Sequence, residues 1–265
     1  MVPKPRQPLP ARGYLVVNVG LAPAILEGLK KEAAARKYNS VFKEVGGKDD
    51  DEDREQSCVK KTSGLIGDLR IALRAMTECL DPGWMPTVFS FMRSQPNGVG
   101  QEPHQDYPAG VIAEAKKQHA ERVPASMIFA LEEGTSLRVF HGCFDIRDDD
   151  AARVVDIPVG FCLVFRGDLV HNGMPYAVNN PRIHCYLSYR GLKWKPDVMT
   201  ESSSIRSHRR YCAKNPKAAE NQKTRRWTDN ATGDFICDVC GKVFQKYGSY
   251  RSHVFRGHNK KRKID

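Results

Sequence analysis

Ser126-Met127-Ile128-Phe129-Ala130-Leu131, then Glu132-Glu133-Gly134-Thr135, then Leu137-Arg138-Val139-Phe140 is the passage on which the fold turns. Two short apolar runs flank a polar, glycine-bearing break, which is the pattern of a β-hairpin. The same texture continues on both sides. Residues 87–92 read as a strand that leads into a Pro/Gly-rich loop. Val154-Val155-Asp156-Ile157 and Phe161-Cys162-Leu163-Val164-Phe165 follow the passage, separated by Pro158-Val159-Gly160. Residues 182–189 alternate, with Ile183, Cys185, Leu187 and Tyr189 on one face. Toward the N-terminus, residues 13–17 read as a short buried strand. Residues 22–37 and 64–80 carry apolar side chains at helical spacing: Ile25, Leu26, Leu29 and Ala33 in the first, Leu65, Leu69, Leu73 and Met76 in the second. Asp81-Pro82-Gly83 stops the second helix. Residues 46–55 are too charged to pack and read as a surface loop, and residues 110–121 as a short helix. Helices followed by seven or eight short strands predict an α+β chain, with helices packed on a β-sandwich or jelly-roll barrel.

The 265 residues suffice for one full-sized domain and something small, and 40% hydrophobic content places the chain among globular proteins. No apolar run approaches the roughly 20 residues needed to span a bilayer. Residues 1–12 are basic and proline-rich, without the apolar core of a signal peptide, so a soluble intracellular protein with no membrane role is expected. Net charge is +11 and unevenly spread: an acidic run occupies residues 49–53, whereas Lys and Arg dominate from Arg206 to Lys260-Lys261-Arg262-Lys263. Such a tail attracts polyanions, and it also fits a nuclear-import signal or a solvated end. Of eight cysteines, Cys58, Cys79, Cys143, Cys162, Cys185 and Cys212 are scattered, and read as small buried hydrophobes in a reducing compartment. The β-rich texture ends near Trp194, and residues 200–229 turn to Ser, Arg, Lys and Asn. The expected organisation is a domain at 1–199, a basic linker at 200–232 and a small module at 233–265.

His104-Gln105-Asp106 can present two ligands to one metal, because residues i and i+2 of an extended chain share a face. Two imidazoles and one carboxylate form a facial triad that leaves three positions open, which suits non-haem Fe(II). The best third ligand is His171, delivered by the apolar run of residues 161–165 and the turn Gly167-Asp168, in preference to His119 or His141. Arg182, eleven residues further, is suited to bidentate pairing with a carboxylate of a dicarboxylic cosubstrate.

In order and context, these residues resemble the Fe(II)/2-oxoglutarate dioxygenases of the double-stranded β-helix fold, over roughly residues 11–194. The resemblance implies a jelly-roll core with supporting N-terminal helices, and cofactors Fe(II), 2-oxoglutarate and O₂. It implies His104, Asp106 and His171 as iron ligands and catalytic centre, with Arg182 as the cosubstrate anchor. Family members often carry Arg-x-Ser at that anchor; here the third residue is His184, a candidate for the second cosubstrate contact. Related halogenases have a small residue at the carboxylate position, so Asp106 points to hydroxylation or demethylation. Arg93 and Gln95 stand where family members often contact cosubstrate or substrate, and the helix at 110–121 where a lid would lie; ordinary surface is the simpler reading of each.

Cys237-x₂-Cys240-x₁₂-His253-x₄-His258 has the spacing of a closed tetrahedral Zn(II) site, with Phe244 and Tyr250 as its two core hydrophobes. This segment closely resembles a C₂H₂ zinc finger, a small ββα unit that folds only with metal bound. The resemblance puts Lys246, Ser249 and Ser252 at base-reading positions; with Arg251, Arg256 and the basic tail it suits general nucleic-acid affinity better than sequence reading. The expected partner is DNA or RNA, or alternatively a nuclear protein, and the expected location is the nucleus, with the cytoplasm as an alternative. The leading function is oxidation of a nucleic-acid or chromatin-associated substrate. The alternatives are a prolyl or lysyl hydroxylase that uses the finger for protein contacts, a cupin-like metalloenzyme without 2-oxoglutarate, and a non-catalytic nucleic-acid-binding protein on a β-barrel scaffold.

Overall fold

A computed structural model describes residues 9–41, 53–194, 206–207, 232–236, 240, 242–246, 249 and 253. The chain divides into two compact units, Met1–Ser207 and His208–Asp265.

In the first unit the apolar runs become strands, and their alternation decides what each face meets. Strand β1 (Tyr14–Asn18) is followed by helix α1 (Pro23–Ala35), whose proline occupies the first turn, where its missing N–H costs nothing. Short strand β2 (Asn39–Ser40) and β3 (Arg54–Cys58) precede helix α2 (Leu65–Leu80). Next come β4 (Trp84–Ser94), helix α3 (Ala109–Gln118), β5 (Ala125–Ala130), β6 (Ser136–Phe140) and β7 (Ile146–Arg147). The unit ends with β8 (Ala152–Asp156), β9 (Phe161–Arg166), β10 (His171–Gly173), β11 (Asn180–Tyr189) and β12 (Arg206–Ser207).

Two sheets carry the fold. The larger has the order β1-β9-β5-β11-β4-β3-β2, with every neighbour antiparallel, and the smaller has the order β10-β6-β8. Every residue of β5 is buried, because both its faces are covered. Met127 and Phe129 join a core with Leu29 of α1 and Leu69 and Leu73 of α2, while Ile128 and Ala130 pack with Leu137 and Val139 of the smaller sheet. Strand β9 divides the same way: Cys162 and Val164 lie toward the helices, Leu163 and Phe165 toward the smaller sheet. Period-two geometry thus turns an unbroken apolar run into two cores, one on each side of the sheet.

Four expectations change. The runs around Glu132–Thr135 are not a hairpin: β5 pairs with β9 and β11, whereas β6 pairs with β8 and β10. The connection crosses between sheets, and Thr135 Oγ1 holds it by donating to Glu132 O at 2.7 Å. Residues 54 and 55, expected in a loop, belong to β3; Asp53 stands in the turn before it, and residues 46–52 lie outside the described residues. Arg206–Ser207, expected in the linker, pairs in parallel with β7. Of the cysteines expected to be buried, Cys143, Cys162 and Cys185 are, Cys58 is partly so, Cys79 is exposed, and Cys212 lies outside the described residues. Among the described residues no helix is long and apolar enough to cross a membrane.

In the second unit β13 (Thr232–Ile236) and β14 (Val243–Lys246) pair antiparallel, with Cys240 in the connection.

Candidate metal centre

His104 and His171 are held beside each other by main chain. His104 N–H donates to His171 O at 2.9 Å and His171 N–H donates to His104 O at 3.0 Å, an isolated antiparallel bridge. Both residues are nearly solvent-free, at 7% and 4% exposure, and their ring centroids lie 4.5 Å apart. Asp106 is two residues beyond His104, and its Oδ1 lies 3.4 Å from His171 Nε2. Among the described residues these three are the group of His, Cys, Asp or Glu whose ligand atoms converge, all within 4.8 Å of one another.

The turn before His171 is shaped for this approach. Leu169 N–H donates to Arg166 O at 2.9 Å, and Arg166 grips the Asp168 carboxylate through Nε and Nη2 at 2.8 and 2.7 Å. Gly167 O accepts from Tyr107 N–H at 3.2 Å, and a Cβ on Gly167 would stand 2.3 Å from Tyr107 Cδ2, so only glycine lets the segments meet. Gln105, between the two ligands of the first segment, donates from Nε2 to Asp168 O at 2.6 Å and to Phe144 O. Nothing in the sequence marked Gln105 as a tie between the two ligand-bearing segments.

The donor set fits a divalent metal. His104 Nδ1 is 2.8 Å from Glu102 O and His171 Nδ1 is 3.0 Å from Leu169 O. A carbonyl can only accept, so each Nδ1 carries a proton and each Nε2 is the nitrogen turned to the centre, the one a metal would take in place of any proton there. Burial, aided by neighbouring His171, drives the His104 pKa down to about 4, which keeps that imidazole neutral. Burial opposes ionisation of Asp106, but His171 and His184 outweigh it and hold the carboxyl well below its usual range. Burial would also lower His171, yet the Asp106 charge and hydrogen bond raise it.

The triad lines a cavity that opens to solvent. Arg182 and His184 enter the same cavity, because residues 182, 184 and 186 share the face of β11 opposite Ile183, Cys185 and Leu187. Arg182 is 4% exposed; its Nη1 donates to Ser94 Oγ at 3.0 Å and Asn180 O at 3.1 Å. His184 Nε2 is 3.2 Å from Asp106 Oδ2. Gln56, Ser90 and Met92 supply the neighbouring wall from β3 and β4. Arg93 and Gln95 are elsewhere: both donate to Glu55 Oε2 at 2.5 Å, and Arg93 also covers the Tyr38 ring at 4.3 Å. Alternation explains this, since Ser90 and Met92 take the cavity face of β4. Helix α3 anchors Ile112 against Tyr107 and Tyr186, and none of its residues lines the cavity. His119 stacks on Tyr189 at 4.4 Å and His141 lies against Tyr14 at 5.3 Å, both outside the cavity.

In the second unit Cys240 Sγ lies 3.2 Å from His253 Nε2. Lys246 ends β14. Cys237, His258, Arg251 and Arg256 lie outside the described residues.

No family model matches the sequence, and no curated protein does. Solved structures do match the fold. The non-haem alpha-ketoglutarate-dependent epimerase SnoN from nogalamycin biosynthesis superposes with a TM-score of 0.54 at 12% identity, covering 74% of this chain and 85% of that one. HygX from Streptomyces hygroscopicus, solved with nickel and 2-oxoglutarate bound, gives 0.52 at 9% identity over 68% and 84%. A Pseudomonas putida prolyl-4-hydroxylase gives 0.50 at 14% identity over 68% and 94%. The first unit thus has the α+β, antiparallel-sheet fold of the Fe/2-oxoglutarate-dependent dioxygenases, with a facial triad at His104, Asp106 and His171.

Proposed function

We propose that the protein is an Fe(II)/2-oxoglutarate-dependent oxygenase, a hydroxylase or demethylase, acting on a nucleic-acid or chromatin-associated substrate in the nucleus. The observation that carries the oxygenase reading is the buried facial triad sharing one cavity with a buried arginine. Iron bound with 2-oxoglutarate and O₂ supplies an oxidant for C–H bonds, at the expense of decarboxylating the cosubstrate to succinate. The protein's own contribution is positional. His104 and His171 through Nε2 and Asp106 through Oδ1 would hold the metal, displacing the proton that Asp106 favours on His171, and cosubstrate and O₂ would take the remaining positions. Arg182, fixed by Ser94 and Asn180, offers a planar guanidinium to the distal carboxylate of 2-oxoglutarate. Ile128, Leu137 and Met92 give the cavity an apolar share that limits water near the reacting centre. HygX, solved with 2-oxoglutarate bound, supports the cosubstrate assignment by likeness of fold.

For the second unit the proposal is Zn(II) held by Cys237, Cys240, His253 and His258. The hairpin and the Cys240–His253 approach support it. Lys246, Arg251, Arg256 and the basic tail would supply phosphate contacts. Prolyl hydroxylation is the second reading of the substrate, favoured by the likeness to the prolyl-4-hydroxylase. The test is succinate release from 2-oxoglutarate by iron-loaded protein, with and without Asp106→Ala, followed by capture of bound nucleic acid or peptide from extract. Succinate formed by wild type and lost in the variant is expected; no binding or turnover of 2-oxoglutarate would overturn the oxygenase reading, and captured peptide without nucleic acid would favour the second one.

A further inference from the structure

The proposed oxygenase site contains a third buried histidine that is not one of the convergent ligands. From its position we infer that His184 is a positioning residue for the Asp106 carboxylate, and not a cosubstrate contact; this rests on the reading of His104, Asp106 and His171 as a metal site.

The two oxygens of Asp106 face different partners: Oδ1 lies toward His171 Nε2 at 3.4 Å, and Oδ2 lies 3.2 Å from His184 Nε2. An ionised carboxylate can only accept, so the proton of this bond sits on His184 Nε2, which donates it. His184 is itself fixed. It stands in the middle of β11, the central strand between β4 and β5, and the Tyr186 ring meets it edge-on at 4.5 Å and 85°. Tyr186 is braced by Trp194 at 4.6 Å and by Tyr107 at 5.6 Å, and Tyr107 directly follows Asp106 in the chain. The carboxylate and the group that orients it are therefore locked by one aromatic cluster. Rotation of Asp106 about its terminal torsion would otherwise be broad and roughly two-fold. A donor on Oδ2 removes that freedom and leaves Oδ1 as the single oxygen turned toward the imidazoles, the one-oxygen binding a facial triad requires.

Arg182 anchors independently of this arrangement. Its guanidinium donates to Ser94 on β4 and to the Asn180 carbonyl and lies over the Tyr176 ring at 5.4 Å, so the charge offered to a cosubstrate carboxylate has supports of its own. On the cavity face of β11, position 182 thus serves the cosubstrate and position 184 the metal ligand.

The experiment titrates full-length wild type, His184→Ala and His184→Gln with Mn(II), reading free Mn(II) by its paramagnetic resonance. Manganese favours imidazole and carboxylate over thiolate, which keeps Cys240 out of the titration. Loss of the outer donor should weaken Mn(II) binding by about 10- to 100-fold in His184→Ala. His184→Gln, whose amide nitrogen can reach the same oxygen, should stay within about threefold of wild type. With Fe(II) at saturation for each variant, the 2-oxoglutarate concentration for half-maximal turnover should change by less than about twofold, since Arg182 is untouched. The melting midpoint of metal-free protein should not move, which a merely structural role would not allow. The inference is overturned if His184→Ala binds Mn(II) like wild type but needs far more 2-oxoglutarate. It is overturned equally if affinity and metal-free stability fall together without rescue by glutamine. Wild type that takes up no Mn(II) sinks the reading of the metal site itself, a failure visible before any variant is compared.

Discussion

Asp106 has no room for substitution: it is the sole carboxylate of the convergent group and is shared between His171 and His184. Asp106→Ala should weaken divalent-metal binding by more than about 100-fold, measured by equilibrium dialysis, and abolish succinate release. Arg182→Lys keeps the charge but loses the planar fork that Ser94 and Asn180 O now orient. At roughly 1.5–3 kcal/mol for a charged hydrogen bond, the KM for 2-oxoglutarate should rise about 10- to 100-fold while kcat changes much less. A steady-state series in 2-oxoglutarate checks this, and an unchanged KM would remove Arg182 from cosubstrate binding. Cys162 is a different kind of residue: burial pushes its thiol up to about 12, so native protein at pH 8 should be alkylated at exposed Cys79 well before Cys162, as peptide mass mapping would read out.

Among the elements, the turn between β9 and β10 and helix α2 fail in different ways. Gly167→Ala places a methyl 2.3 Å from the fully buried Tyr107 ring and 3.0 Å from Pro124 O, so neither neighbour can yield cheaply. A loss of about 1–3 kcal/mol in urea unfolding is expected, with weaker metal binding because the turn delivers His171. Leu73→Ala removes a fully buried side chain from the helix-facing core and should cost about 2–5 kcal/mol, yet folded protein should keep its metal affinity. These elements also show what the sequence disclosed. Helices α1 and α2 and strands β5, β9 and β11 announced themselves because their apolar spacing is strong. The triad was legible because His104 and Asp106 are local neighbours and His171 follows the strongly apolar β9 across a Gly-Asp turn. Strand β3 was not, since its buried members are Arg54, Gln56 and Ser57, polar residues whose partners include Val99 O, Ser90 and Arg36, far away in the chain. The separation of β5 from β6 was equally hidden: a short polar connection can close a hairpin or cross between sheets, and only the other strands decide. Arg93 misled for a related reason, because Glu55 on the neighbouring strand claims it.

For the whole molecule, the charge of +11 and the second unit set the remaining expectation. If the basic tail neutralises phosphates, affinity for a short duplex or single strand should fall at least about tenfold between 50 and 200 mM salt, measured by fluorescence anisotropy, whereas succinate release should be far less sensitive. A flat salt response would count against nucleic acid as the partner. The main-chain pair between His104 and His171 bears on another matter, the fate of the protein when iron is scarce. Their two reciprocal hydrogen bonds, and the carbonyls that hold each ring, involve no metal. If the centre holds iron as proposed, depletion should silence catalysis without unravelling the barrel, and returning iron would meet ligands already in place. Activity would then track the cell's iron supply promptly and reversibly, with no new synthesis between the two states.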